Sequence, residues 1–461
     1  MAGRVDCQII VRAISKWRVF RWLRTGTGMG NEKRDGRINR RPRGGMPTTR
    51  VDTGASIPKG AVSPWVQLRS ASRHPFLYQK MIRGVDPTAR PGDVVNIYDK
   101  SGFLFGRGLY NPRSTIALRV LSLGSAPVDE LFWRSKLHSA TALRERIGVA
   151  ESSDAYRLVH AEGDGLSGLI VERYADCLVF EIFSLGMFQR RELLAAILAD
   201  QVGSPQCLDR PDRSSPTWRI HVRADEFIER TEGFSAAELD QLDIPPFVIR
   251  EHGIRYRIDV RGGHKTGFFC DQRDNRLRLS RMCRDAEVLD LCCYTGGFAL
   301  CAKVLGGARE VTAVDLDEWA IEQARENANL NQTRLNLIQA DAFTYLRQML
   351  GNQRRYDVVV LDPPKFAPSR DDLKEAEHKY YDLNALALRV VKPGGILVTC
   401  SCSGLVSREV FTSIVDRAAR LNRLNLQILD HTGAGPDHPV SLDCPESSYL
   451  KVFWARVNGP E

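Results

Sequence analysis

Three apolar runs in the C-terminal part of the chain each stop at a turn of unusual composition. Val288-Leu289 leads into Asp290-Leu-Cys-Cys-Tyr-Thr-Gly-Gly-Phe298. Tyr356-Asp-Val-Val-Val-Leu361 leads into Asp362-Pro-Pro-Lys-Phe366, and Ile396-Leu-Val-Thr399 into Cys400-Ser-Cys-Ser-Gly404. Short, nearly continuous apolar runs are what strands buried on both faces of a parallel sheet look like. Open α/β sheets hold their ligands beyond the carboxyl ends of such strands. A glycine turn, an acid-Pro-Pro turn and a cysteine pair are therefore expected to share one crevice.

The remaining elements extend this pattern. Val311-Thr-Ala-Val314 reads as the next strand, followed by a helix that buries Ala320, Ile321, Ala324 and Ala328 at helical spacing. Leu335-Asn-Leu-Ile338 is a third strand, and a helix from about Tyr380 to Val391 is stopped by Lys392-Pro-Gly-Gly395. Leu424–Leu429 and Tyr449–Arg456 are two more strands, too close for a helical crossover, so an antiparallel edge is expected. The fold class is α/β, with seven strands and an antiparallel edge. That pattern fits a Rossmann-like S-adenosylmethionine (SAM) methyltransferase domain better than a dinucleotide dehydrogenase.

Upstream, residues 64–121 alternate short strands (Val94–Tyr98, Phe103–Phe105, Ile116–Leu121) with turns, the pattern of a small β-barrel. A helix is expected over 128–147, with Leu131, Leu137, Leu143 and Ile147 as its apolar positions. A second unit starts near Tyr156, with strands at Arg157–Val159 and Leu178–Ile182 and a helix over Glu192–Val202. Phe247–Ile249 and Ile254–Val260 read as a hairpin, while 203–245 yields no assignment.

Charge is distributed unevenly. The net charge is +9, yet residues 1–50 carry 13 Lys/Arg against 3 Asp/Glu, so the rest of the chain is close to neutral. A basic tail of this kind either contacts phosphates or is a solvated, disordered extension. Within it, Val11–Arg24 has the Arg-rich, acid-poor look of a transit peptide but lacks the apolar core of a secretory signal. No apolar run reaches the ~18 residues that a bilayer crossing needs, so no membrane association is expected. Eleven cysteines without regular spacing point to a reducing, cytoplasmic setting. No Cys-x2-Cys pair is present and no metal is expected.

Each candidate site residue has a chemical reason. Thr295, Gly296 and Gly297 form a strand-to-helix turn that lets a ligand approach the backbone. The spacing is not Gly-x-Gly-x-x-Gly. Asp315, after the second strand, is placed to accept from ribose hydroxyls, and Asp341, after the third, to hold an adenine amino group. Each is also compatible with an ordinary turn aspartate. In Asp362-Pro363-Pro364 the prolines fix the backbone, so that an acid or carbonyl is held over a planar base. Lys265 and Arg273 are candidates for a carboxylate such as that of methionine. Cys400 and Cys402 are candidate nucleophiles. Carbon 5 of cytosine is a poor nucleophile until sulfur adds at carbon 6, and a hydrogen bond from Asp362 at ring nitrogen 3 assists that addition. Buried small side chains are the alternative for both cysteines.

These residues resemble the bacterial 23S rRNA (cytosine-5-)-methyltransferase family, a class I SAM-dependent group, over about residues 64–457. Gly263-His-Lys-Thr-Gly267 with Asp271-Gln-Arg273 is similar to the segment that closes over SAM; Lys265, Thr266, Phe268, Asp271 and Arg273 belong to it. Tyr294-Thr-Gly-Gly-Phe298 looks like the SAM loop, which with Asp290, Asp315 and Asp341 completes the expected cofactor set. Asp362-Pro363-Pro364-Lys365-Phe366 looks like the target-base motif. Ser401-Cys402-Ser-Gly-Leu405 resembles the nucleophile motif and implies Cys402 as the attacking thiol. Thr399-Cys400-Ser401 also resembles the motif of the other RNA cytosine-5-methyltransferase branch, so Cys400 stays as the alternative nucleophile. His74-Pro75 and Gly106-Arg-Gly-Leu-Tyr-Asn-Pro112 look like a PUA domain, an RNA-binding module. Ala161-Glu-Gly-Asp-Gly165, Asp437-His438-Pro439 and Tyr449-Leu-Lys451 are also similar to family sequence.

Four segments are expected: a basic extension (1–62), which has no counterpart in the family pattern, then a PUA-like domain (63–147), a central α/β unit (148–250) and a methyltransferase domain (251–461). The resemblance implies SAM as cofactor, large-subunit rRNA as partner (naked or in an assembling subunit) and 5-methylcytosine as product, and it leaves a homodimer open. Two other readings remain: a SAM enzyme that methylates a guanine nitrogen without a thiol, and a non-catalytic RNA-binding or ribosome-assembly protein.

Overall fold

The computed structural model describes residues 58, 60–204, 218–236, 244–262, 267–367 and 369–459. The basic extension up to 57, including 11–24, lies outside the described residues, as do Lys265 and Thr266. Among the described residues no helix is long and apolar enough to cross a membrane.

The first unit holds β1 (Trp65–Leu68), β2 (Phe76–Leu77), β3 (Ile82–Val85), β4 (Val94–Tyr98), β5 (Leu104–Tyr110) and β6 (Leu118–Leu123), in the order β2-β6-β5-β4-β1-β3. Val66, Leu77, Ile82, Ile97, Tyr110 and Leu118, one from each strand, meet in one core cluster. The sheet therefore curls around its own core, as the dense turns suggest.

The second unit is a sheet of β7 (Ala155–His160), β8 (Leu169–Tyr174), β9 (Cys177–Ile182) and β10 (Arg219–Arg223), in the order β10-β9-β8-β7. The helix Glu130–Arg146, capped by Asp129, packs on it through Trp133, Leu137 and Ala140. We therefore group this helix with the central unit. Its buried stripe runs 133, 137, 140, 144, which leaves the expected core position Leu131 74% exposed. The stripe includes Arg144, whose charge hides it from an apolar reading. The hairpin of β11 (Phe247–Glu251) and β12 (Ile254–Ile258) forms as expected.

The third unit contains β13 (Glu287–Leu291), β14 (Glu310–Asp315), β15 (Asn336–Gln339), β16 (Tyr356–Leu361), β17 (Val391–Ser401), β18 (Asn425–Thr432) and β19 (Lys451–Asn458). Their order is β15-β14-β13-β16-β17-β19-β18, with β19 antiparallel to both neighbours and β18 outermost. The chain winds outward from β13 to β15, then crosses back to β16, so the sheet reverses between β13 and β16. The helix Glu318–Leu330 buries Ala320, Ile321, Ala324 and Ala328 as its spacing requires. The helix before β17 spans Leu373–Val390 and starts earlier than Tyr380. Its first turns are polar, with Glu375 and Lys379 paired at 2.7 Å, so the apolar onset does not mark its start.

Buried charges join the second and third units. The Arg273 fork meets Asp437 at 2.8 and 2.9 Å, and the other Asp437 contacts are the Arg157 backbone N–H at 2.9 Å and His438 at 3.1 Å. Arg144 donates to Asp164 at 2.7 and 2.9 Å and to the Asp437 carbonyl at 2.7 Å. Burial opposes ionisation of Asp437, but His438 and the Arg273 fork outweigh it and hold the carboxyl well below the usual carboxylate range. Removing one partner of such a pair strands the other charge. Asp437→Asn is expected to cost about 3–5 kcal/mol, read as a lower unfolding midpoint in urea. In the wild type this contribution is complete above the unfolded-state pKa of about 4 and fades as pH falls below it. An unfolding midpoint that the substitution leaves unchanged at pH 7 would contradict this account.

Candidate active site

Pairing register builds the site. Val314, Leu291, Leu361 and Thr399 lie on one row across β14, β13, β16 and β17. The residues one step further along are Asp315, Cys292, Asp362 and Cys400. Segments 23 to 108 residues apart in sequence thus end level with one another, around the point where the sheet reverses.

On one side of the reversal, the turn after β13 is tightly shaped. Cys292 and Tyr294 have φ of 59° and 50°, and Gly296 has φ 83°. A Cβ on Gly296 would also press on Ala324 at 3.3 Å, so glycine is required there both by conformation and by packing. The Tyr294 N–H donates to Asp315 at 2.8 Å, and the Asp317 N–H donates to the other Asp315 oxygen at 3.0 Å. A carboxylate has about four acceptor positions, so Asp315 retains capacity for a ribose diol. Asp290 lies beneath the turn, fully buried, with one oxygen accepting from the Ala299 N–H at 3.0 Å. Its other oxygen is buried without a hydrogen-bond partner. Burial pushes its carboxyl well above the usual carboxylate range, and Asp362 and Asp315 add to that. Thr295 is buried, and its carbonyl accepts from Asn327 at 3.1 Å. Asn327 also binds the Arg257 N–H at 2.7 Å, tying the turn to the hairpin. An open glycine turn beside an acid with spare acceptor positions fits an adenosine-bearing ligand.

Several expected cofactor residues are engaged elsewhere. The Arg273 guanidinium meets the carboxylate of Asp437 inside the protein. It is 2% exposed, so it is not presented to a ligand carboxylate. Phe268 is a core residue, 5.0 Å from the Tyr256 ring and beneath the Arg276 guanidinium. Asp271 is buried and accepts from the Tyr449 hydroxyl at 2.5 Å. Asp341 caps the helix Ala342–Gly351 through the Thr344 N–H at 2.9 Å, a contact to one oxygen that, as at Asp315, leaves acceptor capacity for a ligand. In each case a charge or ring that looked free in the sequence has an internal partner.

On the other side of the reversal stand the acid turn and the cysteines. Gln272, 3% exposed, donates to Asp362 at 3.0 Å and to the Cys400 sulfur at 3.6 Å. Its own oxygen accepts from Asn275 at 2.7 Å, which fixes the amide's orientation. Cys400 is fully buried, and burial, reinforced by the Asp362 charge, pushes its thiol well above the ordinary value. Cys402 is only half-buried. The Ser403 hydroxyl accepts from the Ala367 N–H at 3.2 Å and lies 3.0 Å from the Tyr380 hydroxyl. The end of the acid-Pro-Pro turn and the residue after Cys402 are therefore bonded together. Pro363 is buried, Pro364 is exposed and Lys365 is half-buried. The Phe366 ring lies 4.9 Å from that of Tyr380.

Gln272, Asn327, Tyr380 and Ser403 were not singled out in the sequence. Gln272 and Ser403 lie inside motifs that were recognised, and that is the one signal that could have found them. Elsewhere, His74, Cys444 and Glu446 lie close together. His74 Nδ1 accepts from the Phe76 N–H at 3.0 Å, so its Nε2 carries the proton that meets Glu446 at 3.2 Å. The group clasps the first unit to the third.

Comparison with known proteins agrees with this fold. Residues 219–440 match the family described as S-adenosylmethionine-dependent methyltransferase, and residues 66–123 match a PUA-like domain. The ribosomal RNA large subunit methyltransferase I of Citrobacter koseri is 36% identical over 392 residues, covering 84% of this chain and 96% of that protein. The protein of the same name from Aliivibrio fischeri is 36% identical over 389 residues, with the same coverage. The crystal structure of SMU.776 complexed with SAH superposes with a TM-score of 0.70 at 20% identity, covering 85% of this chain and all of that one. SAM is the cofactor of this chain. With its methyltransferase and PUA-like domains, the chain belongs to the ribosomal RNA large subunit methyltransferase I family.

Proposed function

We propose that this protein methylates carbon 5 of a cytosine in large-subunit ribosomal RNA, with Cys402 as transient covalent nucleophile and Asp362 as the group that engages the ring at nitrogen 3. The rRNA substrate rests on what the relatives are named for and on the PUA-like domain. One observation carries the chemistry. A half-buried thiol stands at the tip of β17, bonded through Ser403 to the acid-Pro-Pro turn, while the neighbouring thiol of Cys400 is sealed in the core.

The steps follow from the residues. SAM, when bound, supplies an activated methyl group. The Pro363-Pro364 backbone holds the Asp362 carboxyl rigidly, and Gln272 fixes one of its oxygens. A cytosine taken out of its stack presents its polar edge to Asp362. The Cys402 sulfur bonds to carbon 6, and the electron pair released from the ring double bond makes carbon 5 nucleophilic enough to take the methyl group. Water then takes the carbon 5 proton, the C–H electron pair re-forms the double bond, and the sulfur leaves as thiolate. Cys400 is a poor candidate for that role, because ionising a fully buried thiol is strongly disfavoured.

Two outcomes test this. With RNA containing 5-fluorocytosine, whose ring cannot lose fluorine as a proton, wild type and Cys400→Ala are expected to form a covalent adduct on denaturing gels. Cys402→Ala is expected to form none, with turnover reduced by about a thousandfold or more. An adduct in Cys402→Ala that disappears in Cys400→Ala would reverse the roles. Methylguanosine formed by the double variant would replace this reading with nitrogen methylation. Asp362→Asn is expected to lower kcat by about 10²–10⁴ while calorimetric SAM affinity stays within a few-fold. An unchanged kcat would remove Asp362 from the reaction.

A further inference from the structure

Lys451 begins β19, paired with Ser401 of β17. It is 6% exposed. An ammonium has three donors, and two of them go to the carbonyls of Ser403 at 2.6 Å and Tyr449 at 2.9 Å. Its charge is therefore held within hydrogen-bond distance of the residue that follows Cys402. Among the described residues no carboxylate lies within ion-pair distance of Lys451.

A buried cation bonded to neutral carbonyls needs an explanation. Burial disfavours the charged form and brings the Lys451 pKa down to about 8; Lys365 and Arg408 push the same way, and a negative charge on Cys402 pushes back. Tethering Ser403 alone would need only a neutral donor. The charge serves a purpose if an anion forms beside it, and the half-buried sulfur of Cys402, one residue past the end of the adjoining strand β17, is a group that can become one.

We infer that Lys451 is a positioning residue for the nucleophile: its ammonium favours the thiolate form of Cys402, and its bond to the Ser403 carbonyl fixes the turn that carries the sulfur. This inference rests on Cys402 as the nucleophile. The thiol proton leaves to water, the sulfur–carbon 6 bond forms, and the ring electron pair moves to carbon 5. Lys451 keeps its proton throughout. Sulfur and ammonium titrate as a coupled pair, so the charged state of both is most populated between their two transitions.

The test needs neither RNA nor turnover. The full-length protein is treated with iodoacetamide across pH 5–10, and labelling of the Cys402 peptide is followed by mass spectrometry. In Lys451→Met the midpoint of the rate–pH curve is expected to rise by about one unit, with labelling at pH 7 about tenfold slower. Lys451→Arg, which retains the charge, is expected to stay within a few-fold of wild type. A midpoint unchanged in a folded, SAM-binding Lys451→Met overturns the inference. Where that variant does not fold, the wild-type curve decides: a Cys402 midpoint at or above the free-cysteine value of about 8.5 overturns it equally. Adduct formation separates the two proposals. Raising the pH is expected to restore the 5-fluorocytosine adduct in Lys451→Met, whereas in Cys402→Ala no pH restores it.

Discussion

Everything at the proposed reaction centre depends on the in-register pairing of β14, β13, β16 and β17. A slip of one residue would turn each strand's side chains to the opposite face. Asp315, Asp362 and Cys400 would then leave the level where the sheet reverses. The register is protected because the row behind it is fully buried: Val314, Leu291, Leu361 and Thr399 are each 0% exposed. Slipping would bring polar and charged neighbours into that layer, which is costly without partners. The core therefore sets the alignment of the chemistry as well as the stability of the sheet.

A second constraint comes from the buried charges between the central and catalytic units. Arg144 reaches across to the Asp437 carbonyl, and Arg157 offers its backbone N–H to the Asp437 side chain, from elements of the central unit. Glu251 and Arg276 make a comparable bidentate contact at 2.7 and 2.8 Å between β11 and the helix Arg273–Ser280. These bonds anchor the segment 270–280, and with it Gln272, to the protein on two sides. The residues that shape the site are thus held partly by units whose own surfaces are remote from it.

Much of the fold was legible in the sequence because strands buried on both faces leave long apolar runs and because glycine and proline punctuate them. The hairpin at 247–258 and the helix after β14 show how well that works where periodicity and burial agree. Legibility failed where charge is buried. Arg144 sits on the core stripe of its helix, which displaced the reading toward Leu131. Arg273 and Asp271 look like surface ligands in one dimension, yet each has an internal partner far away in sequence, 164 residues in the case of Arg273 and Asp437. Spacing carries no information about such pairs. The same limit applied to the two cysteines. Their motif context favoured Cys402 but kept Cys400 as an alternative, and burial adds a physical difference between the sealed thiol and the half-buried one.

The Ser403 hydroxyl has a mechanical consequence. Because it bonds to Ala367 on one loop and follows Cys402 on the other, the acid turn and the sulfur-bearing turn behave as a single jaw rather than two independent fingers. On the proposed reading, that tether limits how far the carboxyl and the sulfur can move apart. A pyrimidine, with its ring nitrogen and its electrophilic carbon at a set spacing, either fits within that limit or does not. If Asp362 and Cys402 act as proposed, discrimination among bases would be built into covalent geometry and one short tether, before any contact with the surrounding RNA is made.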